Sequence, residues 1–600
     1  MTLSPLFIKK ISLTGLSISF LAYTPFLYGN VYVERYQQYR AYSEALPNPA
    51  TSDFLTFVQQ STPLANQLRA KWLYKLAQSK QWDLYNHYYQ PSLDVSLQCF
   101  SGQALWAAGK EIEALALAKT LFLYGHTRPK ACDPLFTHLL ANKTEREALV
   151  HTRLSLALEA NEPGLAIHLL QSDNLKKHTD IQTLNHILQN PRYIQQLHPG
   201  KYQDLFYVYG LMLLVPGQMD TAIHQWQQPL TRIMLNETEQ QAFLTRVALY
   251  KATRNAPDTN TWFAKIKPAY YTDIILSAQI RYALNHKAWK QISRLIPQLK
   301  EKQSTEWQYW NARTLAALGQ SEKAHVIYET LAAKRDYYGF LASVRIHKTM
   351  HFENESVHTQ QALIAPFTPI TNEIKTLYDK HQINTASQIL NDFTSELPKS
   401  EQSAMAYWVA TTLQWPNKAI YLANRESLKN QLALRFPLTH TQPITQYAKT
   451  YQIPPAFIYA IIRQESVFHP QIVSSAGARG LMQLMPQTAA HIAKNERLPA
   501  QRYKDLFNPQ NNIHLGTAYL HQLSNHFHHH PVLMAAAYNA GPTQVARWLN
   551  MHPFHDMDIW IETIPFQETR GYLKNVVAFY AVYLYRMHLK PDLSLFLNTV

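Results

Sequence analysis

Apolar residues recur along this chain at three- and four-residue intervals in window after window, and sustained strict alternation is hard to find. That period belongs to amphipathic helices, so the pattern predicts an all-α protein. From about residue 35 to 370 it reads as one helical hairpin after another. Turn signals such as "AAGK" (Ala107–Lys110), "NEPG" (Asn161–Gly164), "VPGQ" (Val215–Gln218) and "ALGQ" (Ala317–Gln320) each precede a helix with Ala near its start. Small residues where helices cross, flanked by Trp or Tyr, are how helix pairs stack into a solenoid. The stretch Tyr309–Ser343 comes nearest to a tetratricopeptide-like unit; the spacing elsewhere is irregular. The expectation is therefore a degenerate helical superhelix, with a plain large helical domain as the alternative. Helices without repeat signals continue over 371–445, and "RFPLTHTQP" (Arg435–Pro443) reads as a break before a compact domain. The expected organisation is a signal segment at 1–29, a superhelical domain at 30–370, a helical linker at 371–445 and a compact domain at 446–600.

Composition sharpens this picture in three places. Six hundred residues exceed what one hydrophobic core supports, and only 16 of them are Gly, which suits helices. The formal net charge of +15 favours an anionic partner. Yet the basic residues are dispersed, with Lys9-Lys10 and Lys176-Lys177 the densest runs, and no nucleic-acid fingerprint appears. A carboxylate-bearing polymer of the cell envelope fits dispersed charge at least as well. Lys9 and Lys10 precede 23 residues without a formal charge, Ile11 to Val33, which has the form of a secretory signal lacking a clear cleavage triplet. A retained anchor and a buried helix are the other readings. The cysteines, Cys99 and Cys132, form an even pair, which in an exported chain suggests one disulfide; two buried thiols are the alternative.

Candidate chemistry concentrates near the end of the chain. In "FIYAIIRQES", positions 457, 461 and 465 are four apart and share one helix face, so Glu465 follows Phe457 and Ile461 toward apolar surroundings. An ionised Glu there is costly unless it is paired or kept protonated. Three further stretches follow: "SSAGARGLMQLMP" (Ser474–Pro486), "AAAYNAGP" (Ala535–Pro542) and "ETIPFQETRGY" (Glu562–Tyr572). The first of these is a glycine-bearing loop running into Met482, Leu484 and Met485, with Gln483 able to donate and accept. The second is a helix of small residues that displays Tyr538 and Asn539 at its end and stops at Gly541-Pro542. One acid in apolar surroundings, a thioether wall and several amides and hydroxyls suit a neutral sugar carrying amide groups. The sequence offers no Ser/His/Asp set, no zinc spacing and no phosphate loop. "HFHHH" (His526–His530) falls where a loop joins two helices and is read as a connector, not a metal site.

Taken in order, E-S, G-L-M-Q-x-M-P, A-Y-N-A-G-P and E-T-R-G-Y resemble the periplasmic soluble lytic transglycosylases, whose catalytic domain is similar in fold to goose-type lysozyme. The helical front end and the Cys99/Cys132 pair resemble the large superhelical members of that family. The resemblance implies a peptidoglycan lytic transglycosylase with Glu465 as its single catalytic acid and then base. It implies sugar-contacting roles for Ser474, Gln483, Met485 and Glu568, and places Tyr538, with Asn539 beside it, near Glu465 and the leaving sugar. Met482 and Leu484 read as packing, and Glu562 as a solvated or structural acid. The same resemblance implies no cofactor and no metal, peptidoglycan glycan strands as the partner, and no nucleic acid. It further implies a monomer in the periplasm, with peripheral envelope association and other cell-wall enzymes as further candidates. A lysozyme-type hydrolase using the same Glu465 and a non-enzymatic glycan-binding scaffold are the rival classes.

Overall fold

Several helices in this chain begin on a side chain that caps them. Asp94 accepts from the Ser96 and Leu97 amides, and Asn236 forms a reciprocal capping box with Glu239. Helices end where the backbone can turn left-handed, as at Gly109 (φ +75°) and Asn161 (φ +56°), within two of the turns read from the sequence. The structure, a computed structural model, describes residues 25–172, 178–499, 503–551 and 556–596. The expected signal segment lies outside the described residues through position 24. Among the described residues the chain is all helix and connection, with only two isolated antiparallel bridges, Val473 to Arg479 and Arg479 to Leu484. Among them, too, no helix is long and apolar enough to cross a membrane.

The chain forms two compact units. The smaller joins the N-terminal helices Pro25–Glu44 and Ser52–Gln59 to Thr368–Asp379, Ile383–Ser395 and Lys399–Thr411. Its core is aromatic and aliphatic: Phe393 meets Tyr32 edge-on at 5.1 Å and Phe367 at 5.2 Å, beside buried Ile370, Ile374 and Ile389.

The larger unit comprises residues 69–357 and 414–600. Through 95–345, successive helices pack on their neighbours, as Val95–Ala107 does on Glu111–Phe122 and Thr305–Ala317 on Ser321–Ala332. Ala114, Ala118, Ala166, Ala222 and Ala324 are fully or almost fully buried at these crossings, where small side chains let helix axes approach. Cys99 and Cys132 are joined as a disulfide, linking Val95–Ala107 to the short turn Lys130–Cys132. One hydrophobic core then runs without a break from Leu276 in the solenoid to Phe596 near the end of the chain. The break read at Arg435–Pro443 is shorter than expected. Helix Leu432–Arg435 ends, a loop turns at His440 (φ +54°), and Pro443 already lies in the first turn of Thr441–Tyr451, where its missing N–H costs nothing.

Two helices near the C-terminus sit against the solenoid. The short helix Met557–Thr563 packs on Asp273–Asn285. The closing helix Gln567–Arg586 packs on Tyr337–Arg345 on one side and on Pro455–Glu465 on another. Between the short helix and the solenoid lie two fully buried carboxylates. Asp558 accepts from the Tyr309 hydroxyl (2.6 Å) and Arg345 (2.9 Å) and pairs with Arg313 at 3.1 Å. Glu562 accepts from Arg281 Nε (2.9 Å), Trp310 Nε1 (3.1 Å) and the Tyr338 hydroxyl (2.7 Å), and pairs with Lys574 Nζ at 2.9 Å. Glu562 is thus a structural acid.

Candidate active site

The helix that carries Glu465 starts at Pro455, with Pro454 before it, and buries Ala456 through Arg463. Eight buried positions in a row leave Glu465 in the last turn, where the side chain keeps part of its surface open. Its neighbour Arg463 does not pair with it. The Arg463 Nε donates to the Arg435 carbonyl at 2.9 Å, and its guanidinium lies over Phe436 and Phe579. The group that does reach Glu465 is the Tyr572 hydroxyl, which donates to Oε1 at 2.7 Å.

Three influences set the proton affinity of this carboxyl. Burial strips water from the charged form and dominates; the Tyr572 hydrogen bond opposes it; the nearby Glu568 carboxylate reinforces it. Together they push Glu465 up to about 7. Tyr572 and Tyr538 are themselves held well above the ordinary phenol range, by burial first and by the Glu465 charge second. Both therefore remain protonated donors.

The loop from 472 to 485 is built around an asparagine that the sequence reading did not single out. Asn512 is fully buried; its Oδ1 accepts from the Met482 amide (2.7 Å), and its Nδ2 donates to the Arg479 (2.9 Å) and Leu506 (2.8 Å) carbonyls. Gly480 is required at this crossing: its φ is +77°, and a Cβ there would stand 2.2 Å from the Leu506 carbonyl oxygen. Met482 is buried against Gly516, where a Cβ would meet its sulfur at 2.3 Å, and Leu484 is buried beside it, both as packing residues.

Within this loop, the Ser474 Oγ accepts from the Ala478 amide at 3.0 Å and keeps its own proton for donation. Gln483 holds a left-handed backbone (φ +48°), and its Nε2 donates to the Gly480 (2.9 Å) and Ile472 (3.3 Å) carbonyls. Two carbonyl partners fix which end of the amide is nitrogen and turn the oxygen the other way. Met485 is exposed at 41 %, consistent with a side chain left for contact with something outside the fold.

The third stretch is the helix Pro531–Ala540, ended by Gly541. Tyr538 lies close enough to Glu465 for the two to interact, but its hydroxyl donates to the Met482 carbonyl at 2.7 Å. The hydroxyl on the acid is that of Tyr572, which was legible only as part of the E-T-R-G-Y stretch. Asn539 accepts from the Thr569 hydroxyl at 2.8 Å, leaving its two amide protons available. Glu568 is exposed in the first turn of the closing helix. Three hydrogen bonds therefore bind the four stretches into one site: Tyr538 to Met482, Thr569 to Asn539, and Tyr572 to Glu465. Beside Tyr519, whose ring meets Tyr538 at 5.3 Å, a hollow of about 480 Å³ opens, lined also by Gln487, Thr488, His491, Gln522 and His526. A larger hollow of about 840 Å³ belongs to the solenoid and includes none of these residues. His526–His530 connects two helices, and no group of three metal-ligating side chains forms among the described residues.

A single acid with a raised proton affinity, set beside amide and hydroxyl groups in an all-helical frame, defines a glycan-cleaving class of site. Comparison with known proteins places it further. The family description "Transglycosylase SLT domain" matches residues 442–561, and "Soluble lytic transglycosylase helical domain" matches 563–591. The soluble lytic murein transglycosylase of Escherichia coli K12 is 28 % identical over 93 % of this chain and 88 % of its own length. A relative called a soluble lytic murein transglycosylase in Haemophilus influenzae is 31 % identical over 68 % of this chain and 70 % of its own. Among solved structures, an inactive glutamate-to-glutamine variant of lytic transglycosylase Slt from Pseudomonas aeruginosa superposes with a TM-score of 0.82 at 28 % identity, covering 94 % and 93 % of the two chains. The 70 kDa soluble lytic transglycosylase of E. coli follows at 0.74 and 26 % identity, over 95 % and 93 %. This chain belongs to the soluble lytic murein transglycosylase family, with a helical superhelix leading to a lysozyme-like α domain.

Proposed function

We propose that this enzyme cleaves the β-1,4 bond between N-acetylmuramic acid and N-acetylglucosamine in peptidoglycan and closes a 1,6-anhydro ring on the muramic acid. Glu465, protonated, gives its proton to the bridging oxygen as the bond from that oxygen to the anomeric carbon breaks. The N-acetyl oxygen of the same muramic acid steadies the positive anomeric carbon. Such substrate assistance removes the need for a second carboxylate. The muramic acid 6-hydroxyl then attacks that carbon and returns its proton to Glu465, so the acid is regenerated and no water is consumed. A proton affinity near neutrality suits one group for both steps, as donor and then as acceptor.

The other site residues take roles around that exchange. Tyr572 orients the Glu465 carboxyl and stabilises its anionic form. Ser474 and the Gln483 amide oxygen face N-acetyl groups, with Met485 and the Asn539 amide along the sugar. Tyr538 anchors the Met482 backbone beside the acid, and Glu568 contacts the substrate from the closing helix. The +15 charge suits a polymer rich in carboxylates, and the chain works as a monomer in the periplasm.

The single observation that carries this reading is a glutamate pushed up to about 7 that meets, among the described residues, one hydroxyl partner and no cation. Mass spectrometry of digested peptidoglycan sacculi tests it. Anhydro ends, lighter by one water than hydrolysed ends, are expected; hydrolysed ends alone would make the protein a lysozyme-type hydrolase instead.

A further inference from the structure

The closing helix Gln567–Arg586 faces two ways. Tyr572 and Lys574 are two residues apart, so they leave the helix on roughly opposite sides. Tyr572 reaches the acid, and Lys574 reaches Glu562 at 2.9 Å and Glu306 at 3.8 Å. Glu562 is in turn gripped by three solenoid helices: by Arg281 from Asp273–Asn285, Trp310 from Thr305–Ala317 and Tyr338 from Tyr337–Arg345. Arg281 also pairs with Glu306 at 2.7 Å. The corner between the two C-terminal helices is itself tied, because Arg570 donates to the Ile564 (2.6 Å) and Pro565 (3.2 Å) carbonyls.

We propose that the solenoid positions the acid: Arg281, Glu306, Trp310 and Tyr338, acting through Glu562 and Lys574, fix the rotation of the closing helix and so hold the Tyr572 hydroxyl on Glu465. A side chain tip lies roughly 6 Å from a helix axis, so a turn of about 20° displaces it by about 2 Å. That is enough to break a 2.7 Å hydrogen bond. Burial makes the grip stiff, since every oxygen of Glu562 has its partners and any slip strands a charge. These are positioning residues; none touches the reacting atoms. The solenoid is then part of the catalytic apparatus as well as a scaffold. This inference rests on the reading of Glu465 as the acid.

The charged and titratable groups facing Glu465 are Tyr572 and Glu568 from the closing helix and Tyr538 from Pro531–Ala540; Arg463 on its own helix is turned to the Arg435 carbonyl. Since the Tyr572 hydrogen bond lowers the proton affinity of Glu465, losing it raises that affinity, and the alkaline limb of activity moves to higher pH.

The test measures release of new glycan ends, anhydro and hydrolysed together, from peptidoglycan across pH with the full-length enzyme. The variants are the paired Glu562→Gln with Lys574→Met, which leaves net charge unchanged, Tyr572→Phe, and all three substitutions together. The paired variant and Tyr572→Phe are each expected to move the limb upward by about 1 on the pH scale, a tenfold change in proton affinity. The triple variant is expected to move it no further than Tyr572→Phe does. Lys574→Arg, which keeps the charge, is expected to retain the original limb. A folded paired variant with the original limb, or a triple variant showing the sum of both shifts, overturns the proposal. If the paired variant does not fold, Arg281→Lys, which cannot hold Glu562 and Glu306 in the guanidinium's forked geometry, is read in the same way: an upward shift supports the proposal and an unmoved limb overturns it. Hydrolysed ends from the unaltered enzyme would sink the reaction assignment instead, and leave the comparison of limbs standing.

Discussion

Two glutamates in the same unit, 97 positions apart in sequence, meet opposite fates. Glu562 is the more deeply buried, and burial alone would keep its proton on. Lys574 and Arg281, with the Tyr338 hydroxyl, overcome that and hold its carboxyl well below the usual range. Glu465 retains some open surface yet is pushed up to about 7 by burial, with the Glu568 charge reinforcing it, because the Tyr572 hydroxyl offsets these only in part. Burial raises both carboxyls, and the cations that surround Glu562 reverse its effect there. One acid is locked as an ion and serves the architecture, while the other can carry a proton, as the proposed chemistry requires.

The comparison can be broken at its functional end first. Glu465→Gln removes the proton carrier while keeping shape, and is expected to cut release of anhydro ends by about 10²–10⁴-fold or more with folding intact, as judged by circular dichroism. At its structural end, Lys574→Met leaves the Glu562 charge buried with a cation missing, and is expected to cost about 3–5 kcal/mol in denaturant unfolding. Smaller still is the stability that Glu465 itself forfeits. Its folded-state affinity is raised, so the native state binds more protons than the unfolded chain between about 4.5 and 7, and stability declines as pH rises through that window. Glu465→Gln is expected to be more stable than the parent at pH 8 by on the order of 1–3 kcal/mol, with little difference at pH 4, measured by paired urea titrations. The finest cut is Trp310→Phe, which deletes one indole donor to Glu562 and is expected to cost about 1–2 kcal/mol.

Much of this was legible in the sequence because it depends on neighbours in the chain. The 3.6-residue period gave the helices, Pro454-Pro455 the start of the Glu465 helix, and Gly541-Pro542 the end of the Tyr538 helix. The apolar run before Glu465 pointed to a carboxyl short of water. What escaped depends on contacts between distant segments. Tyr538 and Tyr572 both sit in recognisable stretches, and only packing decides that Tyr572 takes the acid while Tyr538 takes the Met482 carbonyl. Asn512 lies in the unremarkable run "NPQNNIHLG", yet it ties two backbone groups of the site loop to the Leu506 carbonyl. Glu562 could be solvated or structural on sequence alone, because Arg281, Trp310 and Tyr338 stand more than 200 residues upstream.

The proton on Glu465 can be observed directly. Infrared difference spectra of the enzyme minus Glu465→Gln, recorded from pH 4 to 9, isolate the carboxyl stretch of that one group. A protonated band that fades with a midpoint near pH 7 is the expected result. A midpoint at the ordinary glutamate value of about 4.3 would contradict the account, because the residue would then be ionised before any glycan arrived.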